Sequence, residues 1–296
     1  MNRRMRQWSP QGVSLLVVPL LGYLSLVIYP ILATVRLSFY KSNGLTPESF
    51  VGLQNYQRLA GDNVFREALL NTVIWTIVTM TVPVAIGLVG AAVLNSPAIR
   101  GRGLFRALMF LPTTMSLVTL GIMFSLLYNP IFGALNSALR AIGLGALTQD
   151  WLGNPNTVLL SLALAFSWQF SGLAMALFHA GIQQISPELY EAAHADGANA
   201  VQRFIHVTLP GIRPVLVVVI TLTVIQSLRA FDLVFVMTKG GPDNSSNVLG
   251  FLMYTQAFGN YNQGYGAAIA VVILLLSLTF AITYLRRMTK QEAFDE

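Results

Sequence analysis

Glu191, Asp196, Arg203 and Arg213 stand in a polar run, EAAHADGANAVQRFIHVTLPGIRP at 191–214, between two long apolar stretches. Carboxylates and guanidinia in such a run can bond a partner in water, and nothing beside them makes a nucleophile. A second set, Gln226, Arg229 and Asp232, recurs every three residues inside apolar sequence. On one helix this spacing shares a face and lets Arg229 pair with Asp232. Polar groups are costly in lipid unless they face a bundle interior or a cavity. The stripe therefore faces a translocated polar molecule or a gate, or it is a structural ion pair near the outer interface.

Bond-making chemistry is missing. None of the lysines, Lys41, Lys239 and Lys290, follows a glycine, so no phosphate-cradling Gly-Lys-Ser/Thr exists. His179, His194 and His206 form no HExxH pair, no serine stands in GxSxG, and cysteine is absent. The chain is expected to carry no catalytic residue, no metal and no cofactor of its own.

The elements that must position these residues are membrane helices. The hydrophobic fraction is 54%, the charged fraction 10% and the mean hydropathy +0.62. Soluble domains carry roughly 25% charged residues, so lipid is the solvent. A spanning helix needs about 20 mostly apolar residues. Six segments qualify, at 12–39, 68–94, 104–128, 157–180, 215–237 and 265–285. The expected fold is all-α and integral to the membrane, a single domain over 1–296. Arg3, Arg4 and Arg6 resemble the n-region of a signal peptide. The apolar stretch behind them far exceeds the roughly 7–15 residues of a signal h-region, which makes it a retained helix. The net charge of +6 does not point to nucleic acid, because the basic residues sit at segment ends without interleaved aromatics.

Lys/Arg balance sets orientation. With the N-terminus inside, eleven basic residues are cytoplasmic and five (Lys41, Arg58, Arg66, Arg140, Lys239) are outside. Both termini and the 181–214 loop are then cytoplasmic. The outer loops are 40–67, ending in a short interfacial helix, 129–156, with Trp151 as an interface anchor, and 238–264. TKGGPD at 238–243 reads as a tight exposed turn. Tyr254, Tyr261 and Tyr265 read as outer-interface residues. Pro19, Pro30, Pro83 and Pro112 predict kinks.

In the cytoplasmic loop Ser186 reads as an N-cap, with Pro187 and Glu188 suited to a first turn. A helix follows to about Ala195, Asp196-Gly197 turn the chain, and a second helix runs through Asn199 to Val207. Leu209-Pro210 should end it, since a residue before proline is pushed out of the α region. The alternative is an amphipathic helix on lipid headgroups, which would want more Lys/Arg on its polar face.

Glu191-Ala192-Ala193, Asp196-Gly197-Ala198, Leu209-Pro210 and Pro214 resemble the EAA loop of bacterial ABC importer permeases, with Val207 where isoleucine is common. FVGLQNY at 50–56, LPTTMS at 111–116, YNPIFGALN at 128–136 and FDLVFVMTKGGP at 231–242 are similar to the carbohydrate branch, the maltose- and glycerol-phosphate-type systems. The resemblance implies a type I importer architecture in the bacterial plasma membrane. It implies a homologous second permease, forming a heterodimer, and two cytoplasmic ATPase subunits that hold ATP and Mg. It also implies an extracytoplasmic binding protein. Glu191, Ala192, Ala193, Asp196 and Gly197 would dock the ATPase, and Leu209 and Pro210 would fix the exit angle. Aromatic platforms beside amides make Asn71, Trp75, Trp168 and Gln169, with Gln226, Arg229 and Asp232, candidates for a sugar path. Packing or interface anchoring is the alternative for each tryptophan. Gly240, Gly241 and Pro242 are candidate contacts for the binding protein, with plain loop closure as the alternative. A self-contained secondary transporter or channel would need ion-coupling carboxylates deep in the membrane, whereas Asp232 lies near one end of its segment. An integral membrane enzyme lacks a catalytic constellation.

Overall fold

The computed structural model describes residues 10–95 and 100–295, with side chains at 16–95, 100–284 and 286. Arg3, Arg4 and Arg6, and the side chains of Arg287 and Lys290, lie outside the described residues. The chain is mostly helical. In order it runs α1 (Pro10–Tyr23), α2 (Tyr29–Leu37), β1 (Tyr40–Lys41), β2 (Ser49–Phe50), α3 (Gln54–Gly61), α4 (Asn63–Asn95), α5 (Arg102–Phe110), α6 (Leu117–Leu127) and α7 (Ala134–Ala141). Then follow α8 (Val158–Ile182), α9 (Pro187–Ala195), α10 (Ala200–Arg203), α11 (Leu209–Gly211), α12 (Arg213–Leu228), α13 (Asp232–Met237), α14 (Leu249–Tyr254) and α15 (Gln263–Asp295).

Four helical stretches are long and apolar enough to cross a membrane unbroken: Leu16–Leu37, Asn63–Asn95, Val158–Ile182 and Gln263–Tyr284. Two more become spans only as bent pairs. The expected third segment is two helices, Arg102–Thr114 and Leu117–Leu127, meeting at 105° across the extended residues Met115 and Ser116, just after a tighter helical turn that holds Pro112. The expected fifth segment stops at Leu228 and resumes at Asp232, and α12 meets the preceding Ala200–Gly211 at 70°. Pro19 and Pro83 sit within α1 and α4. Pro30 follows a π turn at Leu24–Ile28, in which Tyr29 N–H reaches Leu24 O. The wider turn shifts the bonding pattern just where proline has no N–H to give.

The described residues form two compact units. One holds those up to Gly61 with Met253–Val272. Its β1–β2 ladder pairs Tyr40 with Phe50, a small departure from an all-helical chain. Asn55 Nδ2 donates to the carbonyls of Ser38 at 2.8 Å and Tyr40 at 3.0 Å, fastening α3 to that ladder. Arg58 lies 4.2 Å over the ring of Tyr265. Tyr265 is buried, so it packs in the protein rather than at an interface.

The second unit holds 62–252 and the residues from Ile273 onward, with α8 at its centre. The most apolar stretch of α8 is 72% buried, so α8 is the core helix of this unit, whereas among the described residues none of the window in Leu16–Leu37 is buried. Trp75, Leu120, Leu162, Met175 and Phe178 are fully buried around it. Small residues set the α4–α8 spacing: a Cβ on Gly87 would meet Ala174 Cβ at 2.6 Å and Met175 N at 2.8 Å. Gly87→Val should therefore cost about 1–3 kcal/mol by overpacking and lower the melting temperature in detergent. Gly22→Val, where a Cβ meets nothing within 4 Å, should leave it unchanged.

Candidate functional site

Two places gather the polar side chains, the loop after α8 and the break between α12 and α13. In the first, Pro187 opens α9 as expected, but the Ser186 hydroxyl donates to the Glu188 carboxylate at 3.4 Å instead of capping the backbone. The short spacing to an acidic first-turn residue diverts it. Gly197 takes φ +79. Gly197 N–H reaches His194 O at 3.0 Å and Ala198 N–H reaches Ala193 O at 2.9 Å, the paired bonds of a Schellman close. Asn199 and Gln202 then form a reciprocal capping box with bonds of 2.8 and 2.9 Å, so Asn199 is the cap and the helix begins at Ala200.

Leu209-Pro210 does not end the helix. Leu209 keeps helical dihedrals (φ −62, ψ −44), because the π turn Phe204–Thr208 carries its N–H to Phe204 O and leaves Pro210 in a first-turn position. The chain leaves the helix at Ile212 (φ −93, ψ 5). Tyr190 Oη meets Thr208 Oγ1 at 3.0 Å and ties the two arms together. Glu191, Ala192, Asp196 and Gly197 are exposed and Ala193 is half-buried. Leu189, Val201 and Ile205, at 55%, 65% and 48% exposure, leave apolar surface uncovered on the same hairpin.

At the second place, α12 gives up helical dihedrals at Arg229 (φ −98, ψ 14) and Phe231 (φ −148, ψ −55). The three-residue spacing therefore no longer stacks Arg229 under Asp232, and among the described residues no ion pair joins them. A cavity of about 240 Å³ opens at the break. It brings together four predicted residues, Trp75, Gln226, Arg229 and Asp232, with two that spacing did not mark, Phe166 and Phe231. Trp75 is buried with Nε1 unpartnered, and its ring lies 5.8 Å from Phe166. Aromatic walls with a carboxylate, a guanidinium and an amide suit a polyhydroxylated ligand. Phe166 and Phe231 sit in apolar runs where nothing distinguishes a wall from a core residue.

The other candidates serve the scaffold. Gln169 Nε2 donates to Met115 O at 2.6 Å, and Thr113 Oγ1 donates to Gln169 O at 3.0 Å, so this pair staples the α5–α6 break to α8. Trp168 packs edge-on against Phe124. Trp151 Nε1 donates to Asn136 Oδ1 at 2.8 Å, which makes it a loop brace rather than a free interface anchor. Asn71 Nδ2 donates to the carbonyls of Asn244 and Asn247 at 3.1 and 3.0 Å, and Leu249 N–H donates to Thr72 Oγ1 at 2.9 Å. This clamp holds the loop that follows the turn expected to be exposed. Gly240 is buried, and a Cβ there would meet Phe251 at 2.9 Å. Gly241 and Pro242 are half-buried.

Residues 75–292 match the family model of binding-protein-dependent transport system inner membrane components. A probable ABC transporter permease protein, YurN of Bacillus subtilis, is 37% identical, covering 92% of this chain and 94% of that protein. The arabinooligosaccharides transport system permease AraP of Bacillus subtilis is 35% identical over 90% of this chain and 84% of its own length. The trehalose/maltose transport system permease MalF of Thermococcus litoralis is 34% identical over 92% of both chains. In structure, the chain is similar to one from a bacterial ABC transporter involved in alginate import, with a TM-score of 0.78, 19% identity and 94% of each chain covered. That likeness is one of fold.

Asn71→Ala should remove both carbonyl contacts at a cost of about 1–3 kcal/mol. Amide hydrogen exchange should rise in 239–249 and stay unchanged in α8.

Proposed function

Because the chain belongs to the family of binding-protein-dependent transport system inner membrane components, we propose that it is the permease subunit of an ATP-driven carbohydrate importer. It spans the bacterial plasma membrane six times with both termini inside. It works as one permease domain, with 181–214 in the cytoplasm and 40–67 and 238–264 outside. A homologous second permease completes the pathway as a heterodimer, two cytoplasmic ATPase subunits hold ATP and Mg, and an extracytoplasmic binding protein delivers the sugar. The carbohydrate class rests on the names of relatives such as the arabinooligosaccharide and trehalose/maltose permeases.

One observation carries the coupling role. The 187–211 hairpin is closed at its turn by backbone bonds and by the Asn199–Gln202 capping box, and braced by Tyr190–Thr208, yet it keeps Leu189, Val201 and Ile205 uncovered beside Glu191 and Ala192. A stiff element with an apolar and acidic face suits docking into a partner's groove. Closure of the ATPase dimer would move it as a lever and switch the membrane helices between outward and inward access. Leu209 and Pro210 continue the helix, so they pass the motion on toward Ile212 and α12. The cavity at the α12–α13 break is the proposed sugar contact. Its volume lies just under the roughly 300 Å³ lower end of ordinary ligand pockets, in keeping with half of a pathway whose other wall belongs to a second chain. On the outer side, Gly241 and Pro242 remain the proposed contact for the binding protein.

Gly197→Pro fixes φ near −65° and removes the N–H that closes α9. Membrane insertion should persist, while stimulation of ATP hydrolysis by sugar-loaded binding protein should vanish. Wild-type coupling in this variant would sink the lever. Gln226→Leu should weaken the apparent affinity of sugar uptake by about 2–10-fold, the loss of one hydrogen bond, with ATPase assembly intact on co-purification. Unchanged uptake would remove Gln226 from the path.

A further inference from the structure

A separate cavity of about 300 Å³ lies where α4 and α8 end and α5 begins. Asn95, Arg102, Arg106, His179 and Gln183 line it, and among the described residues no acidic side chain does. Gln183 Nε2 sits 3.1 Å from His179 Nε2. An amide nitrogen only donates, so the imidazole Nε2 accepts and the ring proton sits on Nδ1. His179 Nδ1 and Asn95 Nδ2 are both buried and have no hydrogen-bond partner. Two buried donors without acceptors are costly in a folded chain. Two guanidinia share the same cavity, and their planar forks match the oxygens of a phosphate group.

We infer that this cavity binds a phosphate-class anion, either the headgroup phosphate of an anionic lipid or a soluble phosphoryl group. The anion supplies the acceptors that His179 and Asn95 lack and meets the guanidinium of Arg106. Its place has a mechanical meaning. Asn95 and Gln183 also line the groove of about 850 Å³ that runs beneath the hairpin, alongside Tyr190 and Phe204. An occupant therefore fixes the ends of α4 and α8 where they meet the hairpin. The site stands on its own geometry and does not depend on which solute is carried.

The test uses the full chain, purified with its co-purifying subunits into nanodiscs of phosphatidylcholine. Inorganic phosphate is titrated against chloride at equal ionic strength while the melting temperature is followed. A parallel sample contains phosphatidylglycerol, with retained lipid counted by native mass spectrometry. A saturable rise with phosphate identifies a soluble anion, and retained phosphatidylglycerol with a raised melting temperature identifies a headgroup. Arg106→Gln, at an exposed side chain, and Asn95→Leu, which leaves the charge unchanged, should each weaken the response by about tenfold. Arg106→Lys should restore part of it. If neither anion acts on the wild type beyond chloride, or both variants respond as the wild type does, the site does not exist.

Discussion

A backbone that breaks inside lipid must find its hydrogen-bond partners within the protein. That constraint organises the second compact unit. Where α5 gives way to α6, Gln169 of α8 donates to the Met115 carbonyl, and Thr113 in the break donates back to the Gln169 carbonyl. Where α12 stops, Ala230 N–H turns back to Ser227 O, and Gly250 leaves room for the Ala230 carbonyl to approach. Proline is absorbed by a π turn ahead of Pro210, as it is ahead of Pro30 in the first unit. Each break is supported by a neighbour, and the cavity with the aromatic walls lies at one of them.

The same rule explains what the sequence could and could not say. Composition and run length place the unbroken spans well, because crossing lipid is a demand on composition alone. In the 187–211 hairpin, Pro187 and Asp196-Gly197 were legible because they act within a few positions of themselves, whereas Ser186 turned to Glu188 and Asn199 proved to be the cap of the second helix. Its exit was misread because the preference of a residue before proline yields to a π turn that spacing does not reveal. Likewise Arg229 and Asp232 fit a helical period on paper, and only the tertiary break parts them.

The sugar-path candidates divide along a similar line. Asn71 and Gln169 are polar groups in apolar surroundings, the pattern that flags function, yet each satisfies backbone atoms. Phe166 and Phe231 line the cavity and carry no such flag. Polarity in a membrane sequence thus marks a need for a partner, and the partner is as often the chain itself as a solute.

The bare first helix has a consequence for how this sequence can drift. Among the described residues none of the apolar window within Leu16–Leu37 is buried, so no packing in this chain holds its side chains to particular volumes. Any apolar residue of ordinary helical preference serves there, apart from positions that a second chain covers. Val158–Ile182 has no such latitude, because each methylene added or lost in a close-packed core is felt. Substitutions should accumulate in the first helix as interchangeable hydrophobic letters, while α8 changes only in step with the residues packed against it.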